Sequence, residues 1–480
     1  MNKRIFSLVV IVAGIALVLA ACGGQTTEAP VVVTDAPVVA TEAPVALSGN
    51  PIRGGLLYDE WFKVLDVDAP EGDQPLWATQ TTNTRSGKDS WRCKECHGWD
   101  YKGVEGAYGG GSHQTGFAGV LQVAGSDPNE ILAALKTGDH DFSAYMDDQA
   151  LTDIALFLSD YMLDSAAFIT DKKPVGGNPE NGKITFEGNC IDCHGSQGTS
   201  INFSANDSDP EYQGTIAIDN PWEFVHKARF GQPQVDEMPS LVDVGLADQD
   251  YIDLLAYIQT FPTSSPVVEG GRMYDNWIKA TGAADMTENQ SLWATQTANE
   301  RTGNDTWRCK ECHGWDYKGV EGRYGSGSHK TGFKGVFAAK DMTTEEIVAW
   351  LNGAKNTDHD FSAYLTADDM GRLAAFLQQE IIEKSFINDD KTVTGGDVER
   401  GKVLFSECAE CHGEDGTNIN FASGDEKEYV GTIAADNPWE FFNKATVGNP
   451  GAIMPAGWNL GFSLQDIIDL LTYAQTLPTK

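Results

Sequence analysis

The chain has 480 residues, and 34 basic against 70 acidic side chains give it a formal charge of −36. That balance excludes a generic nucleic-acid binder, which needs basic surface to neutralise phosphates. With 41% hydrophobic and 10% aromatic residues the chain is globular rather than disordered, and its nine cysteines, an odd number, have to be accounted for.

At the start, Lys3 and Arg4 precede an apolar run over 5–21 that stops at Cys22. Its length suits a signal-peptide core better than a membrane span. The end of the run, Leu19-Ala20-Ala21-Cys22-Gly23, resembles a bacterial lipobox. The resemblance implies a lipoprotein signal peptide over 1–21, lipid on Cys22, and an exported protein held at the outer face of the cytoplasmic membrane or another extracytoplasmic membrane surface. Cleavage after Ala21 would remove Lys3 and Arg4 and leave a charge of −38. Residues 22–50 form a Pro/Thr/Val-rich tether in which Thr-Glu/Asp-Ala-Pro-Val recurs. Extended at about 3.1 Å per residue, it would reach on the order of 80 Å from the membrane.

The body repeats itself. Gly54-Gly55 recurs as Gly270-Gly271, the LWATQT starting at Leu76 recurs at Leu292, and the WRCKECHGWDYKGVEG starting at Trp91 recurs at Trp307, all at an offset of 216. Cys190 and Met238 recur as Cys408 and Met454 within two residues of that register. Two duplicated halves follow, over 51–265 and 266–480, with 262–266 reading as a short linker.

The eight cysteines other than Cys22 fall in four CxxCH motifs: Cys93, Cys96 and His97; Cys190, Cys193 and His194; Cys309, Cys312 and His313; Cys408, Cys411 and His412. Two sulfurs one helical turn apart can each form a thioether to a porphyrin vinyl group, and the adjacent His is the proximal iron ligand. Zinc does not require a His after every second cysteine, and a thioredoxin-type CxxC needs a strand-helix alternation that is missing here. The sequence resembles the c-type cytochromes, as a chain of modules similar to class I cytochrome c. The resemblance implies an all-α fold of four tandem cytochrome c-like haem modules, arranged as two duplicated dihaem halves over 51–172, 173–265, 266–390 and 391–480, with four covalently bound haem c groups. Asn178 and Asp397 are expected to cap N-terminal helices, Asn220 and Asn437 to cap middle helices that open on Pro, and closing helices are expected over 151–161, 251–260, 370–379 and 467–476. In class I cytochromes the first and last helices pack together beside the haem, and the same is expected here.

Distal ligands follow from position. Met238-Pro239 and Met454-Pro455 lie 44 and 42 residues after His194 and His412, where the resemblance places the distal Met. The first and third modules have His140 and His359 there instead, 43 and 46 residues after His97 and His313. His/His ligation would lower their potentials relative to His/Met. His113 and His329, in a repeated Gly-rich loop, are the alternatives; Met146 is a rival in the first module only, since Leu365 replaces it in the third. His226 faces Asn443 in the repeat and is expected at the surface, while Trp91, Trp99, Trp307 and Trp315 are expected to pack on haem.

Six-coordinate haems leave no iron position for substrate. The expected function is therefore a membrane-anchored extracytoplasmic tetrahaem cytochrome carrying electrons between respiratory redox partners, which should have basic docking surfaces. The alternative is a multihaem oxidoreductase acting on a small sulfur or nitrogen compound at a haem with an open or labile axial position. The charge argues against nucleic acid as a partner.

Overall fold

The structure is a computed structural model and describes residues 46–480 apart from 236–237 and 423–425. The signal peptide, Cys22 and the tether up to residue 45 lie outside the described residues. In the first half the helices are α1 (Pro51–Val64), α2 (Cys93–His97), α3 (Pro128–Ala134), α4 (Asp148–Asp160), α5 (Pro179–Asn189), α6 (Ile191–His194), α7 (Gln213–Asp219), α8 (Pro221–Phe230), α9 (Leu241–Val244) and α10 (Asp248–Ile258). The second half has α11 (Pro266–Thr281), α12 (Cys309–His313), α13 (Thr344–Leu351), α14 (Ala367–Gln379), α15 (Val398–His412), α16 (Val430–Asp436), α17 (Pro438–Val447), α18 (Gly457–Leu460) and α19 (Leu464–Ala474). Short 3₁₀ turns fill much of the rest, and the described residues hold one two-residue hairpin, Ile169–Thr170 with Lys173–Pro174. The fold is all-α and cytochrome c-like. No helix among the described residues is long and apolar enough to cross a membrane.

The expected caps form. Asn178 accepts from the Glu180 amide at 3.0 Å and Asp397 from the Glu399 amide at 2.9 Å, while Asn220 and Asn437 each bond the amide three residues on, after a Pro in the first turn. The closing helices begin about three residues before the apolar stripe does, because polar caps such as Asp147, Thr366 and Ser463 open a first turn rich in acidic and amide residues.

Four helix pairs form the frame: α1 with α4, α5 with α10, α11 with α14, and α15 with α19. Each crosses at a glycine. A Cβ added to Gly54, Gly182, Gly270 or Gly401 would lie 2.0–2.1 Å from the carbonyl oxygen of Asp153, Asp253, Arg372 or Asp469 on the partner helix. One turn on, Tyr58, Phe186, Tyr274 and Phe405 are buried at the crossing. Asp153, Asp253 and Asp469 also accept from the backbone amides of Asn50, Asn178 and Asp397 at 2.7–2.8 Å, so a carboxylate on the last helix ties down the start of the first. In the third pair Arg372 stands at that place and pairs at 2.8 Å with Glu269, which itself receives the Ser265 amide.

Four hydrophobic clusters surround these crossings and share side chains at their borders: Phe230 of α8 joins the α1/α4 cluster, and Val447 of α17 joins the α11/α14 cluster. The stretch 262–266, expected as a free linker, is packed. Gly214 lies against the carbonyls of Phe261 and Pro262, and Ser265 Oγ bonds Asn459 at 3.0 Å. Arg272 explains why: its guanidinium is buried between Asp207 (3.1 Å), Val447 O (2.7 Å) and Met454 O (2.9 Å), whereas the matching residue of the first half is Leu56. The halves are locked by polar contacts that composition does not reveal.

Gly182→Ala should destabilise the protein by about 1–3 kcal/mol through overpacking at the crossing. Gly188→Ala, on the open face of the same helix with nothing within 4 Å, should stabilise by about 0.5–1 kcal/mol. Thermal unfolding of the two variants checks the contrast, and equal effects would contradict the crossing.

Candidate haem sites

Each CxxCH motif closes a helical turn, as α2, α6, α12 and the last turn of α15. Each is followed by a glycine with nearly the same backbone: Gly98, Gly195, Gly314 and Gly413 have φ of 71–79° and ψ of 156–165°. Only glycine occupies that region readily. It turns the chain away directly after the His. The sequence carries the signal, since a glycine follows the His in all four motifs.

In the first and third modules α1 and α11 clamp both flanks of the motif. Tyr58 donates to Gly98 O (2.6 Å), Trp61 Nε1 to Trp91 O (2.9 Å) and Arg92 Nε to Asp59 O (2.9 Å). Tyr274, Trp277 and Arg308 repeat the three bonds to Gly314, Trp307 and Asp275 at 2.7–2.9 Å.

The motif histidines of the first and third modules are each fixed by a backbone carbonyl. His97 Nδ1 lies 2.7 Å from Ala118 O, and His313 Nδ1 lies 2.6 Å from Lys334 O. Donation from Nδ1 fixes the tautomer and leaves the Nε2 lone pair for a metal. Burial pushes both imidazoles down to about 4, so they are neutral. Across from them stand His140 and His359, with ring centres 6.1 and 6.3 Å from those of His97 and His313. With imidazole–metal bonds of about 2.0 Å and ring centres about 1.1 Å beyond each nitrogen, two imidazoles on opposite sides of one metal have centres about 6 Å apart. His359 Nδ1 also faces a carbonyl, Trp350 O at 3.0 Å. A cavity of about 310 Å³ opens between the first pair, lined by Trp91, Cys93, Cys96, His97, Phe142 and His140 among others. Its apolar walls, paired sulfurs and opposed imidazoles fit a covalently attached haem c.

His113 and His329 take another place. Each ring stacks on a tyrosine, Tyr108 or Tyr324, at 4.6 and 4.8 Å. Their Nε2 atoms lie 3.2 and 3.4 Å from Arg85 and Arg301, and their Nδ1 atoms 3.5 Å from Glu95 and Glu311, the acidic residues inside the motifs. Burial alone would raise those carboxyls, but the histidine contact and the neighbouring lysine hold both down to about 2. Met146 and Leu365 are both core residues of their clusters.

The second and fourth modules differ at the proximal His. The Nδ1 atoms of His194 and His412 are buried without a hydrogen-bond partner, and Phe203 and Phe421 lie beside the rings at 6.0 and 5.8 Å. Met238 and Met454 sit half-buried in the loops after α8 and α17. Their carbonyls approach Gly231 and Gly448 so closely that an added Cβ would lie 2.8 and 2.6 Å away, so both Met loops share one backbone path. Among the described residues no group of three or more His, Cys, Asp or Glu side chains could hold a metal ion.

Two expectations need correction. His226 is buried, not superficial: its Nδ1 lies 2.8 Å from Tyr101 Oη and its Nε2 3.0 Å from Gly55 O, within a ring of Tyr58, Trp99, Phe157 and Phe230. Apart from Phe230, the surrounding aromatic residues come from the other module of the half, so α8's own periodicity does not reveal the burial. Trp91 lines the first cavity, but Trp99 lies between α2 and α8, under Lys94 and Lys227. Trp315 likewise joins the cluster of the fourth module. There Lys384, fully buried, donates to Trp315 O at 2.7 Å and lies over Tyr317, and burial pushes its pKa down to about 7.

The comparisons agree with this geometry in one part of the chain. Residues 177–258 match the family model described as cytochrome C oxidase, cbb3-type, subunit III. This stretch is similar to a c-type cytochrome domain. It contains Cys190, Cys193, His194 and Met238 and runs from the cap of α5 to the end of α10, and such a domain implies covalent haem c. No curated protein matches the chain. Among solved structures, thiosulfate dehydrogenase (TsdBA) from Marichromatium purpuratum, in its as-isolated form, is 15% identical over 80% of this chain and 86% of that one, with a TM-score of 0.18. At that score no equivalence of residues or of overall arrangement follows.

The two modules of each half are pinned by one carboxylate. Asp59 is buried between Arg92 and Lys227 (2.8 Å), and Asp275 between Arg308 (2.6 Å) and Lys444 (2.7 Å). Burial would raise both acids, but the paired cations outweigh it and hold them below the ordinary range. A depressed folded-state pKa contributes stability that is present above the unfolded value of about 3.9 and is lost as pH falls through the folded value. Asp59→Asn should therefore cost about 3–5 kcal/mol at pH 7, by leaving two cations unpaired. Denaturant melts should show the gap narrowing below about pH 4; a gap that does not change with pH would contradict the pairing.

Proposed function

We propose that the protein is a tetrahaem c-type cytochrome, tethered by lipid on Cys22 to an extracytoplasmic membrane surface, that carries electrons between respiratory redox partners. The observation that supports it most is the opposition of His97 to His140 and of His313 to His359 beside the motif cysteines. Both axial positions at such a site are taken by the chain's own residues, which favours outer-sphere electron transfer over reaction of a bound substrate. Haem c, when attached, supplies the one-electron iron couple.

The cysteine pairs Cys93/Cys96, Cys190/Cys193, Cys309/Cys312 and Cys408/Cys411 would fix the four groups, with His97, His194, His313 and His412 as proximal ligands. His140 and His359 would complete two sites, and Met238 and Met454 the other two. A thioether ligand raises the potential relative to a second imidazole. The proximal hydrogen bonds act in the same direction. Donation from His97 and His313 to carbonyls makes those imidazoles more basic and favours the ferric state, and His194 and His412 lack that bond. Two lower-potential and two higher-potential sites would result.

The acidic body, made more anionic by haem propionates, would attract basic redox proteins and be held off anionic headgroups, with the tether setting its reach.

Two measurements test the reading. His140→Ala should convert one low-spin haem to high-spin in the electron paramagnetic resonance spectrum, and an unchanged low-spin spectrum would overturn the ligand assignment. Electron exchange with a small basic cytochrome should slow roughly tenfold between about 0.01 M and about 0.5 M salt; a flat salt dependence would contradict steering by the acidic surface.

A further inference from the structure

The segment following the proximal His of the second module packs directly on the segment following the distal Met of the fourth. Asn459, five residues after Met454, donates from Nδ2 to Thr199 O at 2.5 Å, and the Ala456 amide faces Ser200 O at 3.4 Å. A Cβ on Gly195, the residue after His194, would lie 2.2 Å from Asn459 O. Arg272 makes a second tie, joining Asp207 of the second module to Met454 O of the fourth. On the outer side Cys193 and Cys411, the second cysteines of the two motifs, are both exposed, and the Asp192 carboxylate is close enough to act on Glu407, beside Cys408.

The second module meets the third differently. Tyr212 Oη bonds Glu269 at 3.1 Å and Ser208 Oγ bonds Asp369 at 2.8 Å in the opening turns of α11 and α14, the Asp207 amide donates to Ala280 O at 2.7 Å near the end of α11, and Arg272, which reaches Asp207, is itself on α11. None of these contacts involves Tyr274, His313 or His359, which surround the third site. Within each half the two modules meet through their own junctions, Trp99 and Tyr101 of the first with His226 of the second, and Lys384 of the third, which holds Trp315 O and lies over Tyr317, with Phe442 of the fourth.

Building on the tetrahaem reading, we infer that electrons cross between the halves from the second haem site to the fourth, so that the sites follow one another in space as first, second, fourth, third. The transfer oxidises the ferrous iron of one site as it reduces the ferric iron of the other; no bond forms or breaks and no further reactant is needed. The two His/Met sites then form the middle of the path and the two His/His sites its ends. Such a path can take electrons at either end and collect them in the centre.

The test uses the full-length holoprotein and the variants Met238→His and Met454→His, each of which should remove one thioether-ligated haem and its far-red charge-transfer band. If the two His/Met haems are neighbours, each electron that arrives on one disfavours the next by charge repulsion. The wild type then titrates these haems in two waves, and each variant leaves a single surviving wave at the higher of the two wild-type midpoints. One survivor at each midpoint, or no splitting in the wild type, overturns the route. A haem count below four per chain, or a thioether band unchanged in either variant, overturns the ligand reading and the route with it. Should a variant fail to mature, pulsed dipolar spectroscopy of the oxidised wild type decides: the two His/Met irons should be closer to one another than the two His/His irons are. Equal separations are the result that chain order would give, and would overturn the route.

Discussion

The structure depends on the close crossing of a first and a last helix at a glycine, repeated at Gly54, Gly182, Gly270 and Gly401. No side chain larger than hydrogen fits against the partner carbonyl there. That contact brings the aromatic residue one turn later into the core. In the first and third modules this residue is a tyrosine, and its hydroxyl reaches on to hold Gly98 or Gly314 just past the proximal His. Backbone proximity at the crossing is thus converted, through one phenol, into the position of the motif histidine. The same helix supplies the indole and the backbone carbonyl that secure the other side of the motif.

Buried charge then decides how the modules are joined. Within each half one carboxylate, Asp59 or Asp275, is shared between a cation beside the motif and a lysine from the next module. Between the halves the crossing of the third module departs from the pattern. Arg372 and Glu269 replace the usual aspartate tie, and with Arg272 they reach the loop of the second module that carries Asp207, Ser208 and Tyr212. The polar lock sits at the one crossing that departs from the pattern, with Arg272 where the first half has Leu56.

Much of this was legible before any coordinates. The Asn-Pro caps and the apolar stripes of the closing helices depend on neighbours within a turn or two, and those readings match the structure. The alignment of His140 and His359 with the methionines rests on loop length, and in the structure their rings lie 6.1 and 6.3 Å from those of His97 and His313. Helix α1 opens on the same signal, Asn50-Pro51, but its body and that of α11 are less legible: both are buried on several sides, carry paired glycines, and leave helical geometry once, at Glu60 and at Asn276, so no single stripe marks them. His226 and the packed stretch at 262–266 were misread for one reason: their partners are more than a hundred residues away, at Tyr101 and at Asn459.

On this account the chain sets potentials by ligand choice and proximal hydrogen bonding, and sets its partners by charge. The measurement that tests the central claim most directly is a spectropotentiometric titration of the purified full-length protein, with low-temperature magnetic resonance at each stage and a haem assay of the same sample. The account requires four haems per chain, all low-spin, titrating as a higher-potential pair with His/Met spectra and a lower-potential pair with His/His spectra. Fewer than four haems, or a high-spin haem that reacts with a small sulfur or nitrogen compound, would contradict it.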